Sequence, residues 1–263
     1  MMQEYNLPKV WQWKDENDNR SGNRPTAGAR FEQNLPRGEK PFQVYSLGTP
    51  NGIKVTVMFE ELLAAGVTEA AYDLFLINIG KGDQFGSDFV DINPNSKIPA
   101  MVDQNGSADV NVFESGSILL YLADKFGQFI PKDVSLRTEC LNWVFWQVGS
   151  APFVGGGFGH FFNYAPTKQE YPINRYTMET KRLLDVLDQH LEGKTFIVGE
   201  EYTIADIINW SWFGRLALDK LYDGSFEFLD MKSYPNVVAW AERINQRPAV
   251  QKALNVEYKQ IKA

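Results

Sequence analysis

Thr49 and Asn51 lie in the turn Thr49-Pro50-Asn51-Gly52, directly after an alternating segment at residues 42–46. Apolar residues recur at helical spacing from 53 to 65, so a strand ends and a helix begins at this turn. Free backbone N–H groups and the helix dipole favour negative charge there, including a bound thiolate. Both side chains could donate hydrogen bonds to a ligand sulfur and lower its pKa. Both residue types are equally suited to a plain helix N-cap.

A second motif, Asn95-Ser96-Lys97-Ile98-Pro99-Ala100, puts a proline at the start of a predicted strand. A cis proline at that point would aim the backbone of Ile98 at a peptide ligand, which would add to the sheet as an extra strand. An edge-strand position explains Pro99 without any ligand, because proline cannot donate to a strand ladder. The residues alone leave both interpretations open.

A third motif, Phe113-Glu114-Ser115-Gly116, opens the last predicted helix of the same region. Ser115 would offer a hydroxyl and helix N-terminal N–H groups to a carboxylate, and Glu114 could accept from an ammonium group. An α-amino acid group, such as that of a γ-glutamyl unit, carries this pair of charges. Helix capping again explains the serine without a ligand.

The order of the elements around these motifs is β-α-β-α-β-β-α, which is the order of the thioredoxin fold. Asn105-Gly106 is a strong hairpin motif between the last two strands. The predicted strands are 42–46, 72–77, 98–102 and 110–113, and the helices are 53–65, a short one within 80–91, and 115–126.

After Pro131 the periodicity is helical only, which predicts an all-α domain. We expect a domain boundary near 128–135. The predicted helices are 136–148, 173–191, 204–220 and 237–247, with a glycine-rich break from Gly155. The resulting division is an irregular extension at 1–40, which packs its tryptophans Trp11 and Trp13 on the body near the active site, a thioredoxin-like domain at 41–128 and a helical domain at 136–263.

Composition excludes several classes of function. The net charge of −7 argues against a nucleic-acid binder and against adhesion to an anionic membrane. No apolar stretch approaches the roughly 18 to 20 residues that span a bilayer, and no apolar signal-peptide core follows the N-terminus. We therefore expect no membrane partner and a cytoplasmic location.

Other candidates for chemistry are weak. The single cysteine, Cys140, lies in an apolar helical pattern, so we expect it to be buried and not to act as a nucleophile. His160 and His190 are too few and too far apart for a metal site, and we expect no metal. The glycine run from Gly155 has His160 where a dinucleotide-binding motif requires glycine.

Taken together, these motifs and Thr203-Ile204-Ala205-Asp206 resemble the glutathione transferase family, and more narrowly its nu class, the glutathione-dependent disulfide-bond reductases. The resemblance covers nearly the whole chain. It implies a thioredoxin-like domain followed by a helical domain, bound glutathione or its disulfide, a small disulfide or peroxide substrate, and a homodimer.

The resemblance also implies roles for individual residues. Thr49 and Asn51 would lie at the glutathione thiol, and the backbone of Ile98, before a cis Pro99, would pair with the cysteinyl unit. The glutathione-binding residues it implies are Asn23, Gln84, Lys97, Ile98, Glu114, Ser115, Gly149 and Arg175. Thr203 and Asp206 form a capping box and are structural.

Some alternatives stay open. Arg175 could instead pair with Glu179 on the same helix face. Five aromatic residues could line a pocket for the second substrate or belong to the core; they are Phe153, Phe158, Phe161, Phe162 and Tyr164. A conjugating transferase acting on electrophiles, with Tyr45 or Ser46 at the thiol, is the second candidate function. A non-catalytic glutathione-binding regulatory protein is the third.

Overall fold

A four-stranded mixed sheet forms the first half of the computed structural model, which describes residues 5–14 and 22–261. The strand order is β2-β1-β3-β4, with β1 parallel to β2 and antiparallel to β3, and β3 antiparallel to β4. This topology confirms the predicted thioredoxin-like arrangement. The strands are β1 Phe42–Ser46, β2 Tyr72–Leu76, β3 Ala100–Asp103 and β4 Val110–Phe113.

Helices cover both faces of the sheet. Successive side chains of β1 point to opposite faces and all of them are buried, so each face must be covered. Phe42 and Val44 face the hydrophobic cluster that includes α1 (Pro50–Ala64) and α3 (Ser115–Phe126). Tyr45 faces the opposite cluster, where α2 (Ser87–Ile92) buries its apolar residues. A five-residue strand buried on both faces therefore forms the centre of this half of the protein.

The second half is helical, as predicted. Its helices are α4 Val134–Pro152, α5 Glu170–Leu191, α6 Ile204–Asn209, α7 Arg215–Ala217, α8 Ser225–Phe228, α9 Pro235–Asn245 and α10 Pro248–Leu254. Short 3-10 segments occur at Thr68–Ala70, Asp83–Phe85 and Met231–Ser233. Its core is continuous with the cluster between α1 and α3, so one hydrophobic core joins both halves. The boundary at 128–135 and the three-part division stay predictions.

The predicted glycine-rich break is wrong, because Phe153–Tyr164 continues α4 as a π-helix. At three glycines of this segment, an aromatic side chain packs so close to the backbone that a residue with a Cβ atom would clash with it. A Cβ at Gly155 would lie 2.4 Å from the Trp212 ring, and a Cβ at Gly157 would lie 2.3 Å from the Tyr176 ring. A second π-helical turn, Trp210–Gly214, interrupts the helix predicted over 204–220.

The connection from β3 to β4 spans residues 104–109, so Asn105-Gly106 is not a two-residue hairpin turn. The carboxylate of Asp103 accepts from the backbone N–H of Asn105 at 2.9 Å and shapes this longer loop. The antiparallel pairing that the motif predicted is nevertheless present.

The segment after α10 returns to the sheet. The backbone of Lys259 accepts from Leu76 N and donates to Leu74 O, both at 2.9 Å, which covers the outer edge of β2. Arg247 binds Glu61 of α1 through two hydrogen bonds of 2.6 and 2.7 Å. The end of the helical half is therefore attached both to β2 and to α1 of the thioredoxin-like half.

The N-terminal extension has no helix or regular strand within residues 5–14 and 22–40, as predicted. Trp13 is half-buried, with the Arg24 guanidinium 5.7 Å from its ring centre. Trp11 is 56% exposed, so the prediction that both tryptophans pack on the body is wrong for this residue. The parts of the extension at 1–4 and 15–21 lie outside the described residues. No helix in the described parts of the chain is long and apolar enough to cross a bilayer.

Candidate active site

A cavity of about 490 Å³ lies between the two halves, in the size range usual for small-molecule sites. The sheet half contributes mostly polar residues, and the helical half contributes mostly apolar and aromatic ones. From the first half these are Thr49, Pro50, Asn51, Lys54, Ile79, Gln84, Asn93, Asn95, Ser96, Lys97, Ile98, Pro99, Glu114 and Ser115. From the second they are Val148, Ala151, Pro152, Gly155, Gly156, Tyr164, Trp212, Leu221 and Tyr222.

Thr49 is the N-cap of α1, and its hydroxyl oxygen accepts from Gly52 N at 3.4 Å. This cap uses a lone pair of the oxygen and leaves the hydroxyl proton for another acceptor. The capping interpretation and the ligand-binding interpretation are therefore compatible. Thr49 lies on the cavity wall, where the N-terminus of a fifteen-residue helix favours a bound anion.

The orientation of Asn51 is fixed from the other half of the protein. The indole N–H of Trp212 donates to Asn51 Oδ1 at 2.9 Å. An indole nitrogen can only donate, so the amide oxygen must face Trp212 and the amide NH₂ group is directed away from it. Asn51 lines the cavity and can therefore present N–H donors to a ligand there.

The peptide bond between Ile98 and Pro99 is cis, as the family resemblance implied, and both residues line the cavity. Asn93 holds this loop, because its amide Nδ2 donates to Lys97 O at 2.6 Å. The ammonium group of Lys97 donates to Asn23 Oδ1 at 2.5 Å, which attaches the N-terminal extension to the cavity rim. Burial, and to a smaller extent the charge of Arg30, lower the pKa of Lys97.

Glu114 and Ser115 lie at the beginning of α3 and line the cavity. Glu114 has a φ of 67°, a left-handed conformation that is unfavourable for a residue with a side chain. Asn95 Nδ2 lies 3.5 Å from Glu114 Oε1, at the limit of a hydrogen bond. Ser115 begins the helix, and its hydroxyl oxygen accepts from Lys54.

Lys54 was not predicted as a site residue. It is 2% exposed, and burial lowers its pKa to about 7, while the charge of Glu114 acts in the opposite direction. A lysine on the face of α1 that also carries Val57 and Met58 breaks the apolar pattern, and this break was the available sequence indication. Trp212 was also missed, because nothing local in the sequence connects it to Asn51.

The remaining residues that were predicted to bind glutathione differ in their position relative to the cavity. Gln84 is buried on the cavity wall, and its amide Nε2 donates to Ile79 O at 3.4 Å. Gly149 is exposed on α4, and its neighbours Val148 and Ala151, unlike Gly149 itself, line the cavity. Arg175 is exposed on α5 and does not line the cavity in the described part of the chain.

The alternative partner of Arg175 is engaged elsewhere. Glu179 forms its ion pair with Arg182 at 2.6 Å, and the charge of Arg175 acts on Glu179 only weakly by comparison. The i,i+4 pair that could have explained Arg175 is therefore not the ion pair found on this helix.

The capping box at the beginning of α6 is confirmed as a structural element. Asp206 accepts from Thr203 N, Ile197 N and Trp240 Nε1, each at 2.9 Å, and is fully buried. Burial raises its pKa to about 6, although these hydrogen bonds act in the opposite direction. Cys140 is buried in α4, where burial raises the pKa of its thiol, so it is no nucleophile for a cavity ligand.

The five aromatic residues that could have formed a second-substrate pocket divide between the two interpretations. Tyr164 lines the cavity. Phe158 is in the core and stacks on Phe162 with ring centres 4.8 Å apart, and Phe161 stacks on Tyr176. The aromatic side of the cavity is completed by Trp212 and Tyr222, which sequence reasoning did not select. Among the described residues, no group of three or more His, Cys, Asp or Glu side chains could hold a metal ion.

A thioredoxin-like sheet domain, a following all-helical part and a cavity between them form the two-domain architecture of glutathione transferases. Residues 46–124 match the model of the glutathione S-transferase N-terminal domain, and residues 150–248 match that of the C-terminal domain. The chain belongs to the glutathione S-transferase family of enzymes.

Individual members of the family are similar to this chain over most of its length. The chain is 57% identical to the disulfide-bond oxidoreductase YghU of Escherichia coli, over 94% of this chain and 86% of that protein. A crystal structure of glutathione transferase YghU from Streptococcus pneumoniae, complexed with glutathione, is 63% identical, with a TM-score of 0.96 over 98% of this chain and 100% of that one. A glutathione transferase from Burkholderia graminis, with two glutathione molecules bound per subunit, is 40% identical, with a TM-score of 0.75 over 82% and 88%.

Proposed function

We propose that the protein is a nu-class, glutathione-dependent disulfide-bond oxidoreductase with its active site in the cavity around Thr49 and Asn51. One observation carries the proposal: donors at the N-terminus of α1 open onto a cavity that contains no protein thiol. The only cysteine of the sequence, Cys140, is buried in α4. The reactive sulfur must then belong to a ligand. The similar proteins, a disulfide-bond oxidoreductase and a glutathione transferase in complex with glutathione, support this choice.

The reaction is thiol–disulfide exchange with glutathione as co-substrate. The glutathione thiolate forms a bond to one sulfur of the substrate disulfide, and the other sulfur leaves as a thiolate. A second glutathione thiolate then attacks the mixed disulfide, which releases the remaining substrate thiolate and forms glutathione disulfide. The protein has to stabilise negative charge on sulfur and hold the reacting sulfurs in line. The Thr49 hydroxyl and the Asn51 amide perform the first task.

The remaining contacts extend over both ends of glutathione. The backbone of Ile98 pairs with the cysteinyl unit, and Glu114 and Ser115 bind the ammonium and carboxylate groups of the γ-glutamyl end. The other proposed contacts are Asn23, Gln84, Lys97, Gly149 and Arg175. Arg175 lies outside the cavity wall, so its role would require it to reach across the cavity entrance when ligand is present. A cavity of about 490 Å³ and the Burkholderia graminis complex support two glutathiones or one glutathione disulfide per subunit.

The conjugating alternative has less support, because the side chains that it would use point elsewhere. The Tyr45 hydroxyl donates to Pro36 O at 2.9 Å, and Ser46 is fully buried. Neither residue lines the cavity. A non-catalytic glutathione-binding protein stays the third candidate, and turnover separates it from the first.

The deciding experiment compares initial rates of glutathione-dependent reduction of a small disulfide, reduction of an organic hydroperoxide, and conjugation of a chlorinated aromatic. We expect disulfide reduction to dominate. Thr49→Ala should lower disulfide turnover at least tenfold, about 1.4 kcal/mol of transition-state stabilisation. Thr49→Asp keeps the helix cap but places a negative charge at the thiolate, so it should be at least as inactive. Tight glutathione binding without turnover in the wild type would favour the regulatory protein instead.

We further propose a homodimer in a reducing compartment, the cytoplasm. Large apolar side chains are exposed on α4 and α5, among them Phe145, Tyr171 and Met178. A subunit interface formed by these helices would bury them. Light scattering of the purified protein tests this, with a monomer mass at micromolar concentration as the contrary result.

A further inference from the structure

Lys54 connects three elements of the protein beneath the cavity wall. It lies near the beginning of α1, and its ammonium donates to Ser115 Oγ of α3 at 3.2 Å and to Gln147 Oε1 of α4 at 2.9 Å. All three side chains are buried. Lys54 and Ser115 also line the cavity. The ammonium group therefore joins the two halves of the protein at the point where a ligand would be bound.

Packing alone does not explain a lysine at this position. An ammonium group loses its hydration when buried, and an apolar side chain of similar length would fill the space without that loss. Burial is strong enough to lower the pKa of Lys54 to about 7, with Glu114 as the charged group that acts against this shift. A negative charge arriving in the cavity would favour the ammonium form. An anionic ligand would thus relieve the unfavourable burial.

The direction of the hydrogen bonds shows how Lys54 acts. An ammonium group has three donors and no acceptor, so Ser115 Oγ must accept from it. The single hydroxyl proton of Ser115 is then left to donate in another direction. Because Ser115 lies at the first residue of α3 and lines the cavity, that direction is available to a ligand carboxylate. Gln147, whose amide oxygen also accepts from Lys54, holds the ammonium group in place from the helical half.

We infer that Lys54 is a positioning residue for glutathione binding. Its ammonium group donates to Ser115 Oγ, so that the hydroxyl proton of Ser115 donates to the γ-glutamyl carboxylate of glutathione. Gln147 holds the ammonium group from the helical half. This inference rests on the proposed function, because it assumes that glutathione binds with its γ-glutamyl end at Ser115. It assigns part of the glutathione affinity to a contact between the two halves rather than to the thioredoxin-like half alone.

A double-mutant cycle tests the inference. Titration calorimetry with S-methylglutathione, which has no titrating thiol, is carried out on the full-length wild type, Lys54→Met, Ser115→Ala and the double variant. We expect each single variant to bind about tenfold more weakly, the effect of one charge-assisted hydrogen bond. The double variant should bind no more weakly than Ser115→Ala, because both changes remove the same contact. Additive losses would overturn the inference.

A second ligand localises the effect. An analogue of S-methylglutathione with 4-aminobutyryl in place of γ-glutamyl lacks only the carboxylate in question. The wild type should bind it about tenfold more weakly than S-methylglutathione. Lys54→Met should hardly distinguish the two ligands. If Lys54→Met still distinguishes them as the wild type does, Lys54 does not act on this carboxylate.

Controls separate this inference from the proposed function. Thr56→Val removes a buried hydroxyl of the same helix, which donates to Ile53 O and lies near Ala253 O, away from the cavity, and should leave affinity unchanged. A wild type that does not bind S-methylglutathione would defeat the proposed function itself. If the wild type binds S-methylglutathione and Lys54→Met binds it with the same affinity as Thr56→Val, only the inference about Lys54 is overturned. If Lys54→Met does not fold, Gln147→Leu must bind S-methylglutathione about threefold more weakly than the wild type does, with unchanged affinity for the 4-aminobutyryl analogue.

Discussion

The indole N–H of Trp212 and the amide oxygen of Asn51 form a hydrogen bond of 2.9 Å between residues 161 positions apart in the sequence. Trp212 lies in a π-helical turn of the helical half, and Asn51 lies in the first turn of α1. The bond determines which end of the Asn51 amide faces the cavity. A residue of the helical half therefore sets the hydrogen-bonding character of the proposed thiolate site.

Replacing Trp212 by phenylalanine should remove this control. Without the indole donor, the Asn51 amide can rotate and present its oxygen to the thiolate, so we expect turnover in disulfide reduction to fall about tenfold. Trp210→Phe is the matched control, because Trp210 Nε1 donates to Ala241 O at 3.1 Å inside the core. Both variants should lose about 1 kcal/mol of unfolding free energy. Equal turnover in the two variants would contradict the role of Trp212.

Arg175 provides a test of a residue outside the cavity wall. If it closes over bound glutathione, Arg175→Ala should raise the KM for glutathione about fivefold and leave the unfolding free energy unchanged. Arg182→Ala changes the same residue type on the same helix but removes the ion pair with Glu179. Steady-state kinetics should show no change for Arg182→Ala. An unchanged KM in both variants would exclude Arg175 from the glutathione site.

The capping box of α6 should dominate the stability of the helical half. Asp206→Ala leaves three buried N–H donors, those of Ile197, Thr203 and Trp240, without their acceptor, and should cost about 3 kcal/mol or more. Asp133→Ala removes an exposed N-cap that accepts only from Leu136 N and should cost about 1 kcal/mol. Urea unfolding compares the two. Similar losses would contradict the network around Asp206.

The titration of Lys54 should make stability depend on pH. In the folded protein its pKa is lowered from 10.5 to about 7 by burial, so between these values the unfolded chain binds more protons than the folded one. The contribution of Lys54 to the free energy of unfolding therefore increases as pH rises from about 7 towards 10.5. Below pH 7 this contribution stabilises the folded protein least. Wild type should gain stability relative to Lys54→Met between pH 7 and pH 9.5 in urea unfolding. Parallel pH dependence in both proteins would contradict this titration.

Features encoded over a few residues were predictable from the sequence. The capping box at Thr203 and Asp206 and the strand of residues 42–46 each depend on local geometry, whereas the cis peptide before Pro99 was implied only by the family resemblance. The order of strands and helices followed from the change of hydrophobic period along the chain. That order was enough to identify the sheet topology.

Features that join distant segments were not predictable in the same way. Glycines normally break helices, but Gly155 continues one because the Trp212 ring occupies the space of its missing side chain. Lys54 interrupts the apolar face of α1, but the sequence does not show that Ser115 and Gln147 accept its hydrogen bonds. These partners come from elements that no spacing rule connects, so only the tertiary structure reveals them.

The strand pairing between Lys259 and β2 has a consequence for how the chain folds during synthesis. Leu74 and Leu76 leave the ribosome long before Lys259 exists, so the outer edge of the nascent sheet stays unpaired until the last helices have been made. An open strand edge is a template for pairing with another chain. The nascent sheet domain is therefore most exposed to intermolecular association during translation of the helical half, and slower elongation there would lengthen that interval.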